Sequence, residues 1–229
     1  MPSLPETAPS MARDGRLKEQ LYQSLKTDIL NGVFDMGERL NEGQLSARYG
    51  VSRAPLRQAL TMLQGDGLVE VVPRVGYLTS RLTLQDVHDI FELRLLLETA
   101  MVQKAASCIT EDAVERMERL CSAYHPGDHY SYHQHLGENL EFHRIIAEAA
   151  GNRRMAQVLT QSMEHMLRLI VLRLDMSKAE DVIQEHLEMA AALRQRDPAL
   201  ARDLMIHHLT VAHQATIEAV MRLTANRHL

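Results

Sequence analysis

The sequence predicts a mainly α protein in two parts, three helices with a small β-hairpin followed by an all-α bundle of six helices. Three observations carry that prediction. Residues 41–63, NEGQLSARYGVSRAPLRQALTML, read as two short helices joined by a tight turn. Two short apolar segments follow, Leu68–Val72 and Tyr77–Thr79, on either side of a Pro73–Gly76 turn. Past Arg81 no strand pattern remains, and six stretches of helical periodicity run towards the C-terminus.

The elements follow in order. Residues 1–14, MPSLPETAPSMARD, are rich in Pro, Ser and Ala and have no period, so a disordered tail is expected there. From Gly15 to Leu30 the spacing Leu17, Leu21, Leu25, Ile29 is helical, and Asn31-Gly32 stops that helix. Phe34 to Leu40 reads as a connection. Asn41 is placed to cap the next helix, with Gln44 completing a capping box, and Gly50 supplies the left-handed stop. Ser52 then caps a second helix whose first turn tolerates Pro55. The hairpin after Gly65-Asp66-Gly67 closes a first domain over residues 15–80. Helices over Thr83–Ala106, Thr110–Tyr124, His129–Ala150, Asn152–Leu174, Lys178–Arg196 and Pro198–Thr224 make a second domain, 83–225.

Leu45, Tyr49, Val51, Leu56, Leu60 and Leu63 can face one core, which leaves Arg53 and Arg57 together on the solvent side. From Gly43 to Gln64 there are three arginines, Arg48 among them, and no acid. An apolar rear with a basic front is what a helix needs to enter a DNA major groove. Arg74, at the tip of the hairpin, is either a phosphate or minor-groove contact or a solvated turn residue. Residues 1–80 hold nine basic and nine acidic side chains, so the whole net charge of −5 falls on the remainder. A locally basic reader on an acidic body suits a DNA binder that must release non-specific DNA. Cys108 and Cys121 form no zinc motif and fit a reducing, cytoplasmic setting. No apolar run is long enough to span a membrane, and no signal peptide is expected.

Twelve histidines are present. His125, His129, His133 and His135 cluster around one loop and read as a solvated face or a ligand patch. Three others stand apart. His143 follows Asn139 by one helical turn, so both lie on one face; His186 sits mid-helix; His208 lies on the last helix. Each alone is an ordinary core histidine. Together, on separate helices, they can converge inside a bundle as metal sites do. Arg94 lies within a stripe of Ile90, Leu97 and Met101. It is either an ion-pair partner of Glu98 at the stripe's edge or a cationic fork facing a cavity.

The stretch QLSARYGVSRAPLRQAL followed by GDGLVEVVPRVGY resembles the winged helix-turn-helix of GntR-type bacterial repressors. It departs from the usual pattern at Ala54, Leu56 and Gln58, and in the wing, where Val75 separates Arg74 from Gly76. DIFELRLLLETAMVQKAA, NLEFHRIIAEAAGN and EHLEMAAALRQRDPALARDLMIHHL together resemble the all-helical effector domain of FadR-like GntR regulators, in its metal-binding variety called FCD.

The resemblance implies a homodimeric, ligand-responsive transcription regulator on a palindromic double-stranded DNA operator, and not an enzyme. It implies that Ser52, Arg53 and Arg57 carry most DNA contacts, with Ala54 and Gly76 alongside and Arg48 and Arg74 on phosphates. It places a divalent metal, zinc or nickel, on Asn139, His143, His186 and His208, where Asn139 stands for the family's common Asp. A small organic acid would complete the metal's sphere and meet Arg94, with His165 and Arg168 as further pocket candidates. Two other readings stay open: a sensor whose effector is the ion itself, and a three-histidine metallohydrolase. Against the second, the residue one turn before His143 is an amide and no general base stands beside the site in sequence.

Overall fold

The computed structural model describes residues 10–122, 129–171 and 179–225. The chain divides into two compact units, Met1–Arg81 and Leu82–Leu229.

The first unit runs α1 (Ser10–Leu30), β1 (Arg39–Leu40), α2 (Glu42–Tyr49), α3 (Arg53–Gly65), β2 (Val69–Val72) and β3 (Gly76–Thr79). Helix α1 begins five residues before Gly15, so residues 10–14 are helical where an unstructured tail was expected. Leu21, Leu25 and Ile29 of α1 pack with Leu45, Leu56, Leu60 and Leu63 into one buried cluster; Tyr49 and Val51 cover its edge. Leu17, the first residue of the predicted stripe, stays exposed. Asn41 caps α2, its side-chain oxygen accepting from the Gly43 and Gln44 N–H groups at 2.9 and 3.1 Å. Gly50 ends it at φ +65°, a conformation that favours glycine. Ser52 stands at the start of α3 but its side chain makes no capping bond. The hydroxyl expected to cap is therefore left at the exposed end of the helix.

The wing carries a third strand that the sequence reads as connection. The sheet order is β1-β3-β2, antiparallel throughout, with Arg39 opposite Leu78 and Val72 opposite Gly76. Two residues are too few to show the alternation that marks a strand. Tertiary bonds hold them instead: buried Thr79 donates its N–H to Glu38 O at 3.0 Å, and its hydroxyl accepts from Glu38 N at 3.0 Å. Gly37, at φ +75°, lets the Arg81 guanidinium lie on the backbone, where a Cβ would come within 2.4 Å of Nε.

The second unit contains α4 (Leu84–Cys108), α5 (Glu111–Ser122), α6 (His129–Ala149), α7 (Arg153–Val171), α8 (Ala179–Arg194) and α9 (Pro198–Ala225), with no strand among the described residues. A Thr83–Asp86 capping box starts α4. This helix packs against α6, α7, α8 and α9 and buries Val87, Phe91, Met101, Val102 and Ala105. Of the predicted stripe, Met101 is buried but Ile90 and Leu97 are only half-buried. Arg94, expected within it, and Glu98, expected at its edge, are both buried, at 5% and 1% exposure. Helices α8 and α9 form a hairpin around Arg196, at φ 54°, and Asp197, whose carboxylate accepts from the Ala199 and Leu200 N–H groups at 3.0 Å. No helix among the described residues is long and apolar enough to cross a membrane.

Candidate functional site: a basic helix face and an imidazole cluster

In the first unit, Arg53, Ala54 and Arg57 line the exposed side of α3, while Pro55, Leu56, Ala59 and Leu60 fill the buried side. Arg74 occupies the wing tip at φ 65°, two residues before exposed Gly76 at φ 105°. Two of the arginines have acidic partners that lie outside the acid-free window. Arg57 Nε donates to Glu42 at 2.9 Å, and Arg48 Nη2 donates to Asp28 at 3.0 Å. Both pairs are largely exposed and weak. Arg48 also lies over the Phe34 ring at 5.4 Å from its centroid.

In the second unit, His143 of α6, His186 of α8 and His208 of α9 are buried and converge, with one donor nitrogen of each within 4.8 Å of the others. The hairpin explains the spacing of the last two. They stand at similar remove on either side of the turn at Arg196, so antiparallel packing sets them opposite one another. Ring centroids are 4.8 Å apart for His186–His208, 5.2 Å for His143–His208 and 5.4 Å for His143–His186. Phe142 stacks on His186 at 3.9 Å and 7°, fixing its plane.

Two carboxylates orient the rings, and neither was a candidate from sequence. Glu98 of α4 binds His143 Nδ1, and Glu185 of α8 meets His208 Nδ1 at 2.7 Å. A carboxylate on Nδ1 turns the other nitrogen, Nε2, towards the centre of the cluster. His143 Nε2 is buried and has no hydrogen-bond partner among the described residues. The signals were present, since Glu98 falls one turn after Arg94 and Glu185 directly precedes His186. That α4 and α6 meet at that point is not written locally. Both carboxylates sit on the outer nitrogens, so they position imidazoles rather than supply the base a hydrolase would need.

Glu98 holds Arg94 as well, with Nε donating to it at 2.6 Å. Of the two sequence readings of Arg94, the contacts show the ion pair. Arg94 is buried, with Nη2 lacking a partner among the described residues. Burial alone would raise the Glu98 pKa, but the Arg94 guanidinium beside it and the hydrogen bond with His143 hold the carboxyl at about 2. Burial depresses the His143 pKa, and nearby Arg94 and His208 add to this against the pull of Glu98. A neutral imidazole is the form that binds metal. Asn139 is half-buried and lines a narrow cavity with Cys121, Phe142 and His186. On α7, Arg168 is buried, which pulls its guanidinium down to about 10, and His165 is half-buried. The side chains of His125, His129, His133 and His135 lie outside the described residues.

The donor set fits a borderline divalent ion, on the strength of three buried imidazoles, two of them carboxylate-oriented, around a buried and unpartnered Nε2.

A basic helix-turn-helix with a wing, joined to an all-helical body, defines a class, the transcriptional regulators, and comparison with known proteins agrees. The family described as bacterial regulatory proteins, gntR family, matches residues 17–78, and the FCD domain matches residues 89–211. The uncharacterized HTH-type transcriptional regulator YdhC of Bacillus subtilis (strain 168) is 30% identical over 195 residues, covering 82% of this chain and 86% of that one. The HTH-type transcriptional repressor RspR of Escherichia coli (strain K12) is 26% identical over 198 residues, covering 84% and 86%. The solved structure of E. coli McbR/YncC shares the fold, with a TM-score of 0.75 at 21% identity, over 88% of this chain and 97% of that one. The chain belongs to the GntR family of bacterial regulatory proteins, with an FCD domain following the helix-turn-helix. Its domains and relatives are those of transcriptional regulators rather than enzymes.

Proposed function

We propose that this chain is a repressor that binds a palindromic operator as a homodimer and is released by a small organic acid sensed beside a divalent ion. One observation carries the sensing half. His143 Nε2, buried and unpartnered among the described residues, is held by Glu98 in a cluster with His186 and His208. These three histidines, with the Asn139 amide oxygen, would hold the ion, zinc or nickel, which supplies a positive centre for a carboxylate. With only neutral donors the ion keeps its full charge and so has more need of an anion than in a site with an Asp ligand. Arg94, whose Nη2 is buried without a partner among the described residues, would take the acid's second oxygen. His165 and Arg168 are the further pocket residues in this proposal. The name of RspR, a repressor, supports the sign of regulation.

The operator half rests on the exposed α3 face. One recognition helix reads few base pairs, so a dimer is needed for useful specificity. Ser52, Arg53 and Arg57 would contact bases, with Ala54 and Gly76 alongside, and Arg48 and Arg74 would meet phosphates. Arg53, exposed at the first turn of α3, is the sharpest test. Arg53→Ala is expected to weaken operator binding by about 1–3 kcal/mol in a mobility-shift titration. Unchanged affinity would remove it from the contact set.

The sensing half is tested by metal analysis of the purified protein, then by operator release against a panel of small carboxylates with the ion present. Release by an acid only when metal is bound supports the proposal. Operator binding that tracks the ion with no acid present would replace it with the metal sensor.

A further inference from the structure

A second imidazole pair joins α4 to α9 away from the buried cluster. His213 Nε2 and His88 Nδ1 are 3.0 Å apart, the rings crossing at 89° with centroids 4.9 Å apart. Buried Phe91 stacks on His213 at 4.7 Å and 24°, which fixes the ring plane with Nε2 turned towards His88. His88 is exposed and His213 half-buried, so the gap between the nitrogens opens to solvent. The FCD match spans residues 89–211, so both histidines fall just outside it.

We propose that His88 and His213 form a second, solvent-accessible binding site for a borderline divalent cation such as zinc, clipping α4 to α9. The distance is close to what the chemistry requires. Two nitrogens each about 2.0–2.1 Å from one ion lie about 3.3 Å apart as tetrahedral neighbours, a few tenths of an ångström more than the 3.0 Å of this pair. Without an ion, one ring donates its proton to the other's lone pair. Ion binding moves that proton to the same ring's far nitrogen, so both rings stay neutral and each offers a lone pair. Burial and the neighbouring His88 both lower the His213 pKa, which keeps it in the neutral form. Glu92, exposed one turn along α4 from His88, adds negative charge to the same face. Two imidazoles and water make a weaker site than three buried imidazoles, so this one fills second.

The site has a mechanical consequence. Helix α4 also carries Arg94 and Glu98, and α9 carries His208. An ion on the outer pair fixes the relative positions of the two helices that bracket the buried cluster.

The test is zinc titration of the full-length, chelator-stripped chain by calorimetry and equilibrium dialysis, comparing wild type with His88→Ala and His213→Ala. His88→Ala removes an exposed ring and one hydrogen bond at a solvent-facing edge, and His213→Ala is the independent second variant. Each is expected to bind one zinc fewer per chain than wild type, with the thermal midpoint of the zinc-free protein unchanged for His88→Ala. His186→Ala is expected to lose a different, tighter class of sites and keep this one, which separates failure here from failure of the buried cluster. Wild-type stoichiometry in both His88→Ala and His213→Ala would overturn the proposal and leave the pair a hydrogen bond only.

Discussion

Glu98→Ala is expected to destabilise the second unit by about 3–5 kcal/mol, read as a shift in its urea midpoint. Removing one partner of a buried ion pair leaves the other charge without compensation. Here two groups lose theirs, because Glu98 binds Arg94 Nε and His143 Nδ1 at once, all three being at most 5% exposed. Replacing the pair together, Arg94→Met with Glu98→Leu, should recover much of the loss, since apolar groups of similar size remove the stranded charge. That double variant should still fail to respond to an acid. The pH dependence follows with a definite sign. The Glu98 carboxyl sits at about 2 in the folded chain against 4.5 ordinarily. Its contribution is therefore complete above about pH 4.5 and lost as pH falls towards 2. His143, kept neutral by burial, is depressed from 6.5 and acts in the same direction, costing stability below that value. Stability should thus fall steadily on acidification, and Glu98→Gln should lack the lower phase. A wild type equally stable at about pH 7 and about pH 3.5 would contradict this account.

The second large effect concerns the ion. In a His88→Ala background, where the outer pair is silent, chelation is expected to lower the thermal midpoint and added zinc or nickel to restore it. At a hundredfold excess over the dissociation constant the ion contributes about 2.7 kcal/mol. For a chain of this size that corresponds to roughly 5–10 °C, at about 2–4 °C per kcal/mol. His186→Ala should abolish the response. Glu98→Gln should retain the ion but with about 10–100-fold lower affinity, because the ring it orients loses its charged anchor. A midpoint indifferent to every divalent ion would remove the metal from the proposal.

Local signals were enough for the helices. Asn41, Gly50 and the 3.6-residue stripes each act within one or two turns, so α2, α3 and the six helices of the second unit could be placed from sequence. Strand β1 could not, because Arg39 and Leu40 owe their pairing to Leu78 and Tyr77 of β3, nearly forty residues on. The same limit governs the site. His186 and His208 were legible because a short hairpin relates them, and His143 through its motif. Glu98 was seen only as a neighbour of Arg94, and its reach to His143 depends on how α4 meets α6. Glu185 lay beside a chosen histidine, but helical geometry turns adjacent residues about 100° apart, which argues against shared duty. His208, across the hairpin, gave it one. Asp28 on α1 and Glu42 at the start of α2 lie outside the acid-free stretch 43–64, so its local charge pattern does not reveal them.

Those two flanking acids bear on how the protein searches a chromosome. A guanidinium already facing a carboxylate of its own chain gains less from a passing phosphate than a bare one does. In the proposed operator complex, contact with arbitrary duplex would be somewhat briefer, and Arg57 would leave Glu42 where base-edge acceptors replace what it gives up. Selectivity of this kind comes from a lowered background rather than a tighter target. It should show as a smaller salt dependence off the operator than a count of surface arginines would suggest.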